Sequence, residues 1–213
     1  MSLISIFGLN GSGKDTLIAK LKYQYPKIVL ISGSRVMMKS LGLQVDITTD
    51  FPISREYYEL LEKTPNNVKM QIFDNEYFAT LKEFNNTGRT GIILNHLVVP
   101  RKEHGHITFD SQIRPWYLQV YSLMIYIKAK PEEIYLRQER DRVSGKRVRE
   151  IFTLDEIKET EIQSDQLWHD LFERPNMSEY LYVVYNHEGQ IDKAVEDLTT
   201  ILYSLDPSIV NNA

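Results

Sequence analysis

Apolar residues fall along this chain in two alternating patterns. Short runs rich in Ile, Val, Leu and Tyr, bounded by Gly, Pro, Asn or Lys, predict strands over residues 3–7, 28–32, 91–99, 123–129 and 180–185. The first, third and fourth runs are almost continuously apolar, the pattern of strands covered on both faces of a parallel sheet. Between them the period changes to that of helices. Leu17, Ile18, Leu21 and Tyr25 fall on one side of a first helix, and Phe73, Tyr77, Leu81 and Phe84 follow the same period further on. Ile191, Ala194, Val195, Leu198, Ile201, Leu202 and Leu205 form the clearest stripe. Pro131 with Glu132 and Glu133 predicts another helix start, and Thr153 with Glu156 has capping-box spacing before a helix expected to run to about Phe172.

This alternation predicts an α/β fold: an open, parallel sheet of about five strands with right-handed crossovers and helices on both faces. Residues 33–89 are too long for a simple crossover and are expected to be a mostly helical insertion. A chain of 213 residues is expected to form a single domain over 1–213 that carries such insertions.

Composition narrows the classes. Apolar residues make up 42% and charged residues 25%, the balance of a globular chain, which excludes disordered and collagen-like structure. A net charge of −4 gives no general attraction to nucleic acid or to an anionic membrane, so any basic site must be local. The absence of cysteine excludes disulfides, thiolate metal sites and a thiol nucleophile, and fits a reducing compartment. No targeting pattern opens the chain, and no run approaches about 18 uninterrupted apolar residues. A cytoplasmic protein, monomeric or homodimeric, is expected.

Candidate chemistry begins at residues 6–20, IFGLNGSGKDTLIAK. A strand ending at Phe7 runs into a glycine-rich turn, and a helix is expected from near Lys14. Gly8, Gly11 and Gly13 permit positive φ and close backbone approach, so successive N–H groups surround phosphate oxygens. The helix N-terminus adds a favourable dipole, and Lys14 reaches the β- and γ-phosphates. The usual loop places Ser or Thr directly after the lysine; here the order is Lys14-Asp15-Thr16.

With that order, Gly8-Leu9-Asn10-Gly11-Ser12-Gly13-Lys14-Asp15-Thr16 resembles the loop of adenylate kinase and other P-loop nucleoside monophosphate kinases, which tolerate a non-hydroxyl residue after the lysine and keep a threonine one place later. The resemblance implies a P-loop three-layer sandwich that uses ATP and Mg²⁺, with Gly8, Asn10, Gly11, Ser12, Gly13, Lys14, Asp15 and Thr16 binding ATP and Thr16 supplying the hydroxyl near the phosphates and metal. Asp15 either points out of the first helical turn, where a carboxylate suits the dipole, or helps hold Mg²⁺ through water.

A second constellation lies in residues 131–157, PEEIYLRQERDRVSGKRVREIFTLDEI: between Arg137 and Arg149, the basic Arg137, Arg140, Arg142, Lys146, Arg147 and Arg149 stand against only Glu139 and Asp141. So dense a cationic segment in an acidic chain invites a polyanionic ligand. Ser144 and Gly145 interrupt the helix and make residues 137–150 a short arginine-rich lid, with Arg140 expected on ATP and Arg137, Arg142 and Arg147, beside Lys14, neutralising charge on the transferred group. The competing reading is a solvated helix laced with i,i+4 pairs, Arg137 with Asp141 among them. The kinases of the adenylate kinase type, including the archaeal subgroup, carry similar spaced arginines after a Pro-Glu-Glu-Ile-like helix start. Residues 182–198 also resemble their closing strand, turn and final helix, which implies that Asn186 and His187 lie near the adenine ring.

The middle of the chain departs from that family. Ile31-Ser32-Gly33-Ser34-Arg35 stands where a Gly-Asp and an arginine for the acceptor phosphate are usual, leaving Arg35 or Lys39 for that role within the 33–89 insertion. The third strand gives Ile93-Leu94-Asn95-His96 where an Asp organises Mg²⁺ in the family. His96 is read as contacting an acceptor phosphate or holding a water, and metal binding leans on Thr16, ATP and waters, with Asp15 or Asp110 as further oxygen donors. His104 and His106 lack the cysteines or carboxylates of a zinc site and are read as surface residues. The expected function is an ATP-dependent phosphotransferase resembling adenylate kinase, acting on a nucleotide or another small phosphate acceptor. Its alternative is an ATP-binding regulatory module without efficient turnover.

Overall fold

The computed structural model describes residues 3–48, 59–60, 63–103, 106–114, 116–144, 152–175, 177–205 and 207. The elements follow in the order β1 (Leu3–Phe7), α1 (Lys14–Gln24), β2 (Val29–Ile31), α2 (Gly33–Ser40), α3 (Asn66–Ile72), a π-helical turn (Phe73–Tyr77), α4 (Phe78–Asn85), β3 (Gly91–Asn95), β4 (Val98–Glu103), β5 (His106–Ser111), α5 (Tyr117–Val120), β6 (Leu123–Lys128), α6 (Pro131–Val143), α7 (Leu154–Phe172), β7 (Leu181–Tyr185) and α8 (Ile191–Leu205). The expected α/β architecture is present: a five-stranded parallel sheet in the order β2-β3-β1-β6-β7. Val29 faces Gly91 across β2 and β3, and Met124 faces Leu181 across β6 and β7. Every residue of β1 is buried, Ser5 included, as its nearly continuous apolar run requires of a strand covered on both faces.

The third strand is shorter than its apolar run. It ends at Asn95, and the expected extension to Val99 belongs instead to a two-stranded antiparallel hairpin in which Val98 faces Ser111 and Glu103 faces His106. Leu97, Val98 and Val99 carry the apolar pattern across the break, so hydrophobicity alone does not mark where one strand stops and the other starts.

The chain divides into two compact units, the first made of Met1–Ser5, Pro26–Leu94 and Arg114–Leu123, the second of Ile6–Tyr25, Asn95–Ile113 and Met124–Ala213. The described part of the 33–89 segment is mostly helical, as expected. In the first unit, the π-helical turn lets the rings of Phe73 and Tyr77 stack at 4.6 Å, and the Trp116 ring sits 5.6 Å from Phe73. Arg114 closes this aromatic cluster, with Nε 3.0 Å from an Asp74 carboxylate oxygen and its guanidinium over the Phe73 ring.

In the second unit α7 begins as its sequence predicts: Thr153 Oγ1 accepts from the Glu156 N–H, and the Glu156 carboxylate accepts from the Thr153 N–H. Its Trp168 packs against Phe7 of β1 and Tyr126 of β6. A charged network reinforces that seam. Lys128 Nζ donates to both Asp165 carboxylate oxygens at 2.6 and 2.7 Å and lies 3.6 Å from Glu161, which accepts from the Tyr126 hydroxyl at 3.0 Å.

Burial pushes the Glu161 carboxyl up from its ordinary 4.5; Lys128 pulls it down and Asp165 adds to the rise. Burial also opposes the Lys128 charge, but the Asp165 hydrogen bond and the two carboxylates outweigh it and raise that pKa. The signs separate. A raised Glu161 pKa favours the fold at low pH, and that contribution is lost as pH rises through the folded value; the Lys128 contribution persists until pH exceeds 10.5. Glu161→Gln, which keeps an acceptor for Tyr126, is therefore expected to gain stability relative to the parent as pH climbs from 4.5 to 7 in urea titrations. A difference between the two proteins that is flat with pH would refute the assignment.

Candidate functional site

The glycine-rich turn stands at the carboxyl end of β1, where open α/β sheets bind ligands. Gly11 and Gly13 adopt φ of +94° and +87°, the left-handed region that glycine enters without a Cβ penalty, and α1 starts at Lys14 directly after Gly13. Close approach adds a second reason for glycine at 13. A Cβ there would come within 2.3 Å of Asn186 Nδ2. At Gly8 a Cβ would meet the Ile127 carbonyl oxygen at 2.8 Å. The Ser12 N–H closes the turn on the Leu9 carbonyl at 3.1 Å.

Lys14 is buried, and its ammonium folds back over the loop to donate to the carbonyls of Gly8 at 2.7 Å and Leu9 at 2.9 Å. His96 reaches the same Gly8 carbonyl, with Nδ1 at 3.0 Å. A carbonyl only accepts, so this contact assigns the proton to Nδ1. His96 thus touches the loop backbone directly, beside Asn95, which is buried at the end of β3. Asp15 and Thr16 are both exposed on the first turn of α1.

The loop carbonyls are held from outside by the elements that follow β6 and β7. Gln138 Nε2 donates to the Asn10 carbonyl at 2.7 Å. Arg137 Nη1 donates to the carbonyls of Gly11 at 3.4 Å and Ser12 at 3.2 Å, and Asn186 Nδ2 donates to the Ser12 carbonyl at 2.8 Å. Arg137 also donates through Nη2 to the Asn186 carbonyl at 3.0 Å and through Nε to Glu188 at 3.2 Å. Glu188 is shared with Arg140 at 3.0 Å, and the two guanidinium groups hold its carboxyl below the ordinary 4.5. Glu133 lies 3.7 Å from Arg137 and 3.6 Å from His187 Nδ1.

Several expected site residues therefore converge: Gly8 to Thr16, His96, Arg137 and Asn186. Others do so differently from expectation. Arg137 pairs with Glu133 and Glu188 rather than with Asp141, and its donors face loop carbonyls. Asn186 is buried, and its amide is turned to the loop backbone instead of outward to a base. Arg142, further along α6 than Arg137, is exposed and paired with Glu139 at 2.8 Å. Lys146, Arg147 and Arg149, in the second half of the expected lid, lie outside the described residues, as do His104 and the side chain of His106. Asp110 pairs with Arg101 across the β4–β5 hairpin. Gln138 was not singled out by sequence reasoning; an uncharged residue in an arginine-rich helix carries no signal of its own.

In the first unit, Arg35 is buried at the start of α2, where its N–H caps onto Ser32 Oγ at 3.4 Å. Lys39, at the other end of that helix, is 4.0 Å from Glu83.

The sequence matches no protein-family model and no curated protein. Its fold has solved counterparts. It is similar to shikimate kinase from Bacteroides thetaiotaomicron, with a TM-score of 0.52 and 14% identity, covering 94% of this chain and 98% of that chain. It is likewise similar to shikimate kinase from Acinetobacter baumannii in complex with shikimate, with a TM-score of 0.55 and 12% identity, covering 97% of this chain and 95% of that one. At such identities the likeness is one of fold alone: the chain shares the α/β fold of these two structures.

Proposed function

We infer that the protein is an ATP-dependent phosphotransferase that moves the γ-phosphoryl group of ATP to a small acceptor. The observation that carries this reading is the loop itself, with its left-handed glycines, its buried lysine and its place between β1 and α1. Lys14 exchanges the Gly8 and Leu9 carbonyls for phosphate oxygens, and the N–H groups of the first turn of α1 meet the triphosphate. Phosphoryl transfer asks the protein mainly for positioning and charge neutralisation, both of which a cationic loop supplies.

The donor set suits Mg²⁺ held largely by the nucleotide. Magnesium keeps several waters and binds through one or two protein oxygens plus substrate phosphates. Thr16, exposed on the first turn, is the hydroxyl available for it, and among the described residues no group of three or more His, Asp or Glu side chains is placed to hold a metal. When bound, the ion would offset charge on the β- and γ-phosphates. Arg142 and Arg147 are the lid cations of this reading, with Arg140 on ATP.

The acceptor is a nucleotide, as the resemblance to adenylate kinase implies, or another small molecule. The two shikimate kinases of like fold widen the panel to hydroxy acids. Arg35, Lys39 and His96 are its proposed contacts. The second reading, an ATP-binding module without efficient turnover, is favoured by Asn95 at the end of β3, where the family places a carboxylate. Measuring ADP formation from Mg-ATP, with nucleoside monophosphates, deoxynucleoside monophosphates and shikimate as acceptors, separates the two. One acceptor that stimulates ADP release supports the kinase; tight ATP binding without stimulation by any supports the module.

A further inference from the structure

We propose that Asn186 and Arg137 are positioning residues that set the shape of the phosphate loop, so that the turn after β7 controls how the loop receives a triphosphate. The proposal rests on the loop's being the phosphate site. Its observation is the donor inventory of Arg137. A guanidinium has five N–H groups. Those of Arg137 go to the Gly11 and Ser12 carbonyls, the Asn186 carbonyl and Glu188, and its Nη2 also faces the Glu133 carboxylate at 3.7 Å. Its charge is matched by two acidic neighbours and its donors are turned to the backbone. This is the arrangement of a clamp, whereas a lid cation keeps donors for phosphate oxygens.

Peptide geometry gives the clamp its effect. In a planar trans peptide the C=O and the following N–H point to opposite sides. The Ser12 carbonyl accepts from both Asn186 Nδ2 and Arg137 Nη1, which turns the Gly13 N–H away from them. Gln138 does the same for the Asn10 carbonyl and hence for the Gly11 N–H. Two N–H groups at the left-handed glycines are thereby directed to the side opposite the clamp, where a polyphosphate is cradled. The turn itself is locked, because Asn186 gives both its amide and its carbonyl to this arrangement and Glu188 holds Arg137 and Arg140 together.

Asn186→Asp places a carboxylate against the Ser12 carbonyl and breaks the clamp; Asn186→Ala merely deletes the donor. Binding of inorganic tripolyphosphate and of Mg-ATP, measured by calorimetry on the full chain, tests the proposal. Both variants are expected to weaken both ligands alike, by about 10-fold or more. The Gly13 amide resonance of each variant is expected to shift in the ligand-free protein. Arg137→Lys, which keeps the charge and loses the fork, is expected to weaken tripolyphosphate as well. Variants that lose Mg-ATP affinity but keep that for tripolyphosphate would make Asn186 a base contact and overturn the proposal, as would unchanged affinity for both. A parent protein that binds neither ligand would overturn the phosphate-site reading, and the clamp with it. Should Asn186→Asp not fold, Asn186→Ala and Arg137→Lys carry the test.

Discussion

Lys14→Ala is expected to lower kcat/KM for ATP-dependent transfer by about 10³-fold while leaving the fold almost unchanged in stability. The two effects separate because of where the ammonium sits. Its nitrogen is bonded to the carbonyls of Gly8 and Leu9, so it is held inside the loop and ready to be turned to phosphate oxygens. Deleting it removes the ammonium held within the turn, and there the triphosphate then meets backbone dipoles without a side-chain cation of the loop. Neither carbonyl is stranded by the change: Gly8 retains His96 Nδ1, and Leu9 retains the Ser12 N–H. A buried charge also disappears, which offsets part of the lost hydrogen bonding. ADP release with the best acceptor and urea unfolding of the same preparation check both halves. Turnover within 10-fold of the parent would mean that Lys14 is not the phosphate-binding cation. A large loss of stability would mean that it is chiefly a structural tie.

Much of this architecture is legible in the sequence because periodicity and capping are local. Thr153 and Glu156 announce α7 by their spacing, and the stripe from Ile191 to Leu205 coincides with α8. The glycines of the loop are legible for the same reason, since a strand, a left-handed turn and a helix start follow one another directly in the chain. What escapes such reading is contact between distant segments. The β4–β5 hairpin is masked because its apolar residues continue those of β3. The roles of Arg137, Gln138 and Asn186 are masked more deeply. An arginine in a basic run reads as a cation available for ligand, and only the fold shows that carbonyls and a carboxylate from two distant segments, the loop and the turn after β7, surround it. Burial of Asn186 depends likewise on the return of β7 beside β6, a pairing that residues 182–198 alone do not state.

Gly13→Ala is expected to cost about 2–3 kcal/mol of stability and most of the affinity for Mg-ATP, and its comparison with Gly42→Ala isolates the cause. Both glycines hold left-handed backbone, with φ of +87° at Gly13 and +84° at Gly42. That conformation costs an alanine roughly 1–2 kcal/mol at either position. Their surroundings differ. Among the described residues a Cβ on Gly42 meets nothing within 4 Å, whereas one on Gly13 falls 2.3 Å from Asn186 Nδ2 and 3.4 Å from Arg137 Nη1. Asn186 must then retreat, the Ser12 carbonyl loses its closest donor at 2.8 Å, and roughly another 1 kcal/mol goes with that bond. The excess over Gly42→Ala in urea titrations therefore measures contact with the clamp rather than backbone strain. The ligand arm is independent of it: Gly42→Ala is expected to bind Mg-ATP as the parent does, and Gly13→Ala to bind at least about 10-fold more weakly. Equal stability losses for the two variants would show that the Asn186 approach is not a constraint on the loop. Equal stability losses with a selective loss of ATP binding would leave Gly13 important for phosphate and Asn186 irrelevant to it.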